Sequence, residues 1–182
     1  MALGWASRGR KNCSIGTVHH QKVVMMIESL QSFTASLPPM FQWMGVLVIA
    51  AIPFVESYFG AAVGVVSGLN PTVAIVAAVV GNIISMLIFV LTAHGVRRKI
   101  AAGKAPKEMT PRRAKLRAAF DKYGIAGVSL AGQTILPSQI TSAAMISFGA
   151  SKNAVILWQV ISIIIWGTAF GVLATLGASL LG

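Results

Sequence analysis

Residues 71–96 read PTVAIVAAVVGNIISMLIFVLTAHGV, and Arg97, Arg98 and Lys99 follow directly. The stretch contains no Asp, Glu, Lys or Arg and is longer than the roughly 20 apolar residues that a helix needs to cross a bilayer. Asn70 and Pro71 are typical of the N-cap and first position of a helix. The sequence therefore predicts a transmembrane helix that begins at Pro71 and stops at the three basic residues.

The composition of the whole chain agrees with this interpretation. Of its 182 residues 55% are hydrophobic and only 10% are charged, with a mean hydropathy of +0.77. A soluble domain usually carries about 25% charged residues. So few charges and so many apolar residues also exclude an intrinsically disordered chain. We therefore expect an all-α integral membrane protein.

The net charge of +11 comes mainly from two segments. Ten of the 15 Lys and Arg residues lie between residues 97 and 122, and four lie in the first 22 residues. Basic loops stay on the cytoplasmic side of membranes, which predicts a cytoplasmic loop at 97–122 in a multi-pass protein of the cell membrane. No basic stretch is interleaved with aromatic residues, so nucleic-acid binding is not expected.

Upstream of residue 40 the chain divides into two parts. Residues 1–22 form a basic tail that we expect to be disordered, although Met25 and Met26 leave open that translation starts later. Residues 23–39 place apolar side chains at helical spacing among polar ones and end at two prolines. This pattern predicts an amphipathic helix on the membrane surface. Residues 40–181 form a single transmembrane domain.

That domain contains two interrupted apolar segments. Pro53 interrupts residues 40–69, and Pro137 interrupts residues 123–150. Because a proline removes a backbone donor, each segment fits a bent helix or a re-entrant hairpin better than a straight span. A long apolar helix follows each, the second over residues 153–181. The two halves therefore suggest an internal pseudo-repeat, which in transporters places the binding site between the halves.

Glu56 is the single acidic residue between residues 40 and 96, and this stretch has no Lys or Arg to pair with it. A charge in the middle of a membrane costs about 2.5–3.5 kcal/mol or more, so the carboxylate must pair, be protonated or face water. We interpret Glu56, with the flanking Pro53 and Ser57, as a proton-linked or cation-binding position. The alternative is a carboxylate that reaches the headgroup region from a shorter first span.

Polar side chains surround Pro137 in the second interrupted segment. In a re-entrant turn they and the freed backbone carbonyls can line a polar cavity. The alternative is that they only hold the hairpin together. Asn82, in the middle of the first long helix, can face the same cavity or bond to another helix. The predicted cavity residues are Asn82, Gln133, Thr134, Pro137, Ser138, Gln139, Thr141 and Ser142.

Small residues recur at four-residue spacing in both halves. Such spacing lets two helices approach closely in a membrane, so we expect these positions to serve helix packing rather than transport chemistry. They are Gly60, Gly64, Gly68, Gly167 and Gly171.

Residue patterns typical of enzymes or metal sites are not found. The acidic residues are few and scattered, and the sequence has no phosphate-binding glycine loop, zinc-protease motif or serine-hydrolase elbow. Cys13 is the only cysteine, and His19 and His20 have no further ligand nearby in the sequence. We expect a protein that is not an enzyme and needs no cofactor or metal.

Several short motifs resemble the small multidrug export (efflux) family, which is itself related to the DedA/VTT (SNARE-associated) membrane proteins. The resemblance covers about residues 40–181. The motifs are Ala51-Ile52-Pro53-Phe54-Val55-Glu56-Ser57 with the glycine-rich stretch after it, Gly81-Asn82 and Lys122-Tyr123-Gly124.

This resemblance implies two inward-pointing re-entrant hairpins with flanking helices, and a role in transport. For the DedA branch it implies movement of polyprenyl phosphate or other lipids, with acidic residues in the first hairpin and arginines in the second. Glu56, in the first hairpin, is an acidic residue of the type that this branch implies there. Residues 125–150 contain no arginine, so this hairpin departs from the branch at the residues that would bind a lipid phosphate.

The sequence therefore predicts a small membrane transporter or exporter, with proton-coupled efflux of small molecules as its activity. One alternative is a DedA-like lipid translocase or scramblase, and another is a non-transporting membrane scaffold. The expected partners are membrane lipids and an unidentified small-molecule or lipid substrate. Because each half has few helices, a homodimer is also consistent with the sequence.

Overall fold

The computed structural model describes residue 21 and residues 25–100, 110–133 and 135–181, and all regular elements in these ranges are helical. The predicted tail therefore lies almost wholly outside the described residues. A helix α1 spans Met25–Ser36. A short 3-10 turn at Pro39–Phe41 precedes α2 (Gln42–Ala50), α3 (Glu56–Val66), α4 (Pro71–Ile100), α5 (Pro111–Gly132), α6 (Ser138–Phe148) and α7 (Lys152–Leu181).

Two of these helices, α4 and α7, are long and apolar enough to cross a membrane. The count rises to three if α1 and the helix that follows it, which meet at a bend of 119°, are taken as one broken span. Asn70 caps α4 as predicted, since its Oδ1 accepts a hydrogen bond from the Thr72 backbone N–H at 3.0 Å. The helix continues past Arg97 to Ile100, because basic residues end an apolar span but are good helix formers.

The first interrupted segment folds into a hairpin of two short helices. Gly60 of α3 faces Ala50 of α2, and Gly64 faces Val46, so α2 and α3 run antiparallel. At about 1.5 Å per residue neither helix is long enough to cross a bilayer core of about 30 Å. The turn between them contains Pro53, and Phe54 and Glu56 adopt positive φ angles of 77° and 56°.

The second interrupted segment also forms a hairpin, between the last part of α5 and α6. Gly124 (φ 67°, ψ −169°) breaks α5 into two pieces. Thr141 lies against Gly132, and Phe148 lies against Phe120 with 6.0 Å between ring centroids, so α5 and α6 are antiparallel. Leu116 and Phe120, in the first piece of α5, pack on the main hydrophobic cluster of the described residues.

The two long helices run antiparallel and each hairpin packs on both of them. Gly167 of α7 faces Val79 of α4, and Gly171 faces Ile75. The same two glycines also face Ser57 and Ala61 of α3, so α3 runs parallel to α7. In the other half α6 runs parallel to α4, with Ser138 next to Asn82 and Gly149 next to Arg97.

Helix α1 folds back over the first hairpin. Leu30 packs against the cluster of Ile49, Val55 and Val63, and Thr34 is fully buried. Phe33 and Met26 remain about half exposed. The apolar face of this helix was predicted to lie on a membrane surface. One part of it packs on the protein and the other part is exposed.

Candidate functional site

The two hairpins meet where their second helices begin. Glu56 is the first residue of α3, Ser138 is the first residue of α6, and each follows a proline-containing turn. The Ser138 backbone N–H donates a hydrogen bond to Glu56 Oε1. A carboxylate at a helix N-terminus satisfies a free backbone donor and interacts favourably with the helix dipole. Both residues are fully buried.

Asn82 joins this contact from the middle of α4. Its Oδ1 accepts hydrogen bonds from Gln139 Nε2 at 2.9 Å and from Ser138 Oγ at 3.3 Å. The Asn82 side chain also lies beside the Glu56 carboxyl, although its Nδ2 makes no well-formed hydrogen bond. Gln139 Nε2 lies 3.4 Å from Ser85 Oγ, which adds a second polar residue from the same face of α4.

The fourth side of the site is α7. Ser57 Oγ donates a hydrogen bond to the Ile163 carbonyl oxygen at 3.1 Å, and Gly167 lets the two helices approach at this level. Residues of α4 and α6 therefore lie beside Glu56, and α7 contacts the adjacent Ser57. We call the group of Glu56, Ser57, Asn82, Ser85, Ser138 and Gln139 the central polar cluster.

The central polar cluster has unused hydrogen-bonding capacity. Glu56 Oε2, Asn82 Nδ2 and Gln139 Oε1 are buried and have no hydrogen-bond partner among the described residues. Leaving a buried polar group unpaired costs about 1–3 kcal/mol, and more for a charged group. The single ion pair in the described part of the chain joins Arg117 and Asp121. Two acceptors and one donor are thus available for a proton, a water molecule or a ligand.

A second buried polar group lies between α5 and α7. Gln133 Nε2 donates to Gln159 Oε1 at 3.4 Å, Ser162 Oγ donates to the Ser129 carbonyl at 2.8 Å, and Trp166 Nε1 donates to the Leu130 carbonyl at 3.0 Å. Gln133 Oε1 and Gln159 Nε2 have no partner among the described residues. Gln133 was predicted in one cavity with Asn82, but its hydrogen bond joins it to this second group instead.

The remaining predicted cavity residues have different surroundings. Ser142 Oγ donates to the Gln139 carbonyl at 3.0 Å and Thr141 Oγ1 to the Leu136 carbonyl at 3.5 Å, so both stabilise their own hairpin. Pro137 is the N-cap of α6 and places Ser138 at Glu56. Thr134 lies outside the described residues.

Sequence reasoning missed Ser85, Gln159 and Ser162, which are all buried. Ser85 lies three residues after Asn82, and Ser162 three after Gln159, so each pair shares one helix face. Buried polar residues repeated at this spacing on an apolar helix were the available signal.

Four of the five predicted packing glycines lie at close helix contacts. A Cβ atom at Gly60, Gly64, Gly167 or Gly171 would come within 2.3–2.9 Å of a neighbouring side chain. Gly68 is different, because a Cβ there would meet nothing within 4 Å and its φ is +89°. The packing role predicted for Gly68 is therefore wrong. This residue ends the hairpin in a turn that needs a left-handed backbone.

Comparisons with protein-family models, with curated proteins and with solved structures give no match to this chain. The resemblance to the small multidrug export family therefore rests on the sequence motifs alone.

Proposed function

We propose that this chain is a small multi-pass transporter of the cytoplasmic membrane that exports small molecules in exchange for protons. One observation carries the proposal. Glu56 is fully buried where two hairpins and two long apolar helices meet, with one carboxyl oxygen bound to the Ser138 N–H and the other unpartnered among the described residues. Intramembrane carboxylates of this kind typically mark proton or substrate pathways.

The free oxygen of Glu56 suits an exchange mechanism. No described cationic side chain forms an ion pair with it, so either a proton or a cationic substrate can neutralise the carboxylate. The two compete for the same atom, which means that arrival of the substrate releases the proton and departure of the substrate requires a new one. The amides of Asn82 and Gln139 supply one unpaired donor and one unpaired acceptor to hold a polar substrate.

The arrangement of helices supports alternating access. The antiparallel pair α4 and α7, each with its own hairpin, is consistent with two inverted repeats whose interface holds the substrate. In this proposal the hairpins are re-entrant and their tips meet near the middle of the membrane. The positive φ angles of Phe54 and Glu56 fit such a role, because strained backbone is common at functional sites.

A substrate screen in proteoliposomes tests this function. The purified full-length protein is reconstituted, and uptake of a panel of organic cations, beginning with tetraphenylphosphonium and ethidium, is measured with and without an imposed pH gradient. We expect at least one cation to accumulate only when the gradient is present, relative to empty liposomes. Equal uptake with and without the gradient across the panel would argue against proton coupling.

A lipid translocase is the second candidate, and one surface feature favours it. An apolar groove of about 300 Å³ is lined by Trp43 and Leu47 of α2 and by Val73, Val76 and Val80 of α4, and it suits an acyl chain. In the same vesicles, fluorescently labelled lipids with their label quenched from outside distinguish the candidates. Protein-dependent lipid movement in the absence of cation transport would favour the translocase.

A further inference from the structure

Three arginines from two helices surround the last turn of α6. Arg113 Nη2 donates to Ser147 Oγ at 2.7 Å, and Arg117 Nη1 donates to the Phe148 carbonyl oxygen at 3.3 Å. Arg97, near the end of α4, places its Nη2 3.6 Å from the position that a Cβ on Gly149 would occupy. We call Arg97, Arg113 and Arg117 the arginine cluster.

Two residues of the arginine cluster, Arg113 and Arg117, pack on an aromatic side chain. The guanidinium carbons of Arg113 and Arg117 lie 5.5 and 5.3 Å from the centre of the Phe148 ring, and the Phe120 ring packs against that of Phe148. Phe120 in turn packs on the main hydrophobic cluster. Two guanidinium groups one helical turn apart are therefore held on the same side of the protein, which reduces the entropy that a ligand must remove on binding.

The positive charge of the cluster is only partly compensated. Asp121 pairs with Arg117 at 3.0 Å, but this pair is 40% and 55% exposed, so solvent screens it. The other acidic residues that the structure describes are Glu56, at the opposite end of α6, and Glu28 in α1. Three arginines against one aspartate leave two positive charges, and Arg97 and Arg113 are both exposed.

The cluster lies at the level where the apolar spans end. Arg97 is the next-to-last residue of the span Pro71–Arg98, and the other span begins at Lys152, three residues after Gly149. If α4 crosses the bilayer, this level is the headgroup region of the leaflet on the basic side of the protein. Phosphate groups of lipids occupy that region, and a guanidinium fork is well suited to bind them.

We propose that the arginine cluster binds the phosphate group of an anionic phospholipid in the leaflet that faces the basic loop. The site is distinct from the central polar cluster and does not depend on what the protein transports. Binding of a headgroup at this site also affects α6. This helix carries Ser138 against Glu56 at one end and the arginine cluster at the other, so a bound headgroup fixes the helix that completes the central polar cluster.

Lipid binding to the full-length protein in a non-ionic detergent tests this site. The probes are fluorescent phosphatidylglycerol and phosphatidylcholine, with inorganic phosphate as competitor. We expect phosphatidylglycerol to bind at least about tenfold more tightly than phosphatidylcholine, since it alone brings a net negative charge. The double variant R113Q/R117Q should lose about tenfold or more of the phosphatidylglycerol affinity.

The matched control is R112Q/K115Q, which removes the same charge from two exposed positions of the same helix. We expect it to lose clearly less affinity than the cluster variant. Equal losses would show that only overall charge matters and would overturn the site, as would equal affinity for the two lipids. Displacement of the lipid by millimolar phosphate would show that the cluster binds free phosphate and would overturn the proposal that its ligand is a phospholipid.

The variant R113K/R117K protects the test against misfolding, because it keeps both charges while removing the planar fork. If R113Q/R117Q lowers the thermal unfolding midpoint markedly, the affinity of R113K/R117K for phosphatidylglycerol is used as the test instead. We expect it to bind phosphatidylglycerol about threefold or more weakly than the unaltered protein. Unchanged affinity in a folded R113K/R117K protein would contradict a site built on guanidinium geometry.

Discussion

Gly81 allows the closest helix approach near the central polar cluster. It precedes Asn82 in α4, and a Cβ atom added there would lie 2.0 Å from the Leu47 carbonyl oxygen of α2. That neighbour is backbone and cannot rotate away as a side chain does. Because Gly81 has no side chain, α2 can pack closely against α4 next to Asn82. This close packing places the first hairpin at the central polar cluster.

Replacing Gly81 with alanine is therefore expected to destabilise the protein. Overpacking typically costs about 1–3 kcal/mol, and a backbone neighbour puts this position toward the upper end. Gly95→Ala is the control in the same helix, because nothing lies within 4 Å of its Cβ position and alanine is the better helix former. Thermal unfolding in detergent should show a lower midpoint for Gly81→Ala only. Equal midpoints for the two variants would disprove the close contact.

Local signals in the sequence are sufficient to place most of the helices. The run of apolar residues after Asn70-Pro71 predicted α4, and Pro53 and Pro137 marked both breaks. Contacts between helices were not predictable in this way. Gln133 was expected in one cavity with Asn82 but pairs with Gln159. The choice between these neighbours depends on the rotation of α5 relative to α7, which no local pattern encodes.

The antiparallel arrangement of α4 and α7 predicts on which side of the membrane each helix ends. If both cross the bilayer, the end of α7 lies on the side opposite the loop that follows α4. Alkaline phosphatase fused after Gly182 should be active, and green fluorescent protein at the same position should be dark. The same reporters inserted near residue 105 should give the reverse result. Identical results at the two positions would contradict the arrangement.

Four helices from both halves of the chain meet around Glu56 and its neighbour Ser57. Besides Glu56, four residues of the central polar cluster were predicted as site residues from the sequence, since each is polar in a largely apolar part of the chain. They are Ser57, Asn82, Ser138 and Gln139. Their convergence depends on the antiparallel long helices and on both hairpin tips reaching the same level. As a result, the Glu56 side chain is fully buried beside Ser138 and is not exposed on the protein surface.

Gradient-driven accumulation by Glu56→Gln shows directly whether the buried carboxyl group carries the exchanged proton. The substitution keeps the shape of the side chain and removes its titration, and Glu28→Gln makes the same change at an exposed position of α1. Both variants are reconstituted in equal, correctly folded amounts, with a cation that the unaltered protein accumulates. We predict that Glu56→Gln loses pH-gradient-driven accumulation and Glu28→Gln keeps it. Full accumulation by Glu56→Gln would contradict the proposal that this carboxyl carries the proton.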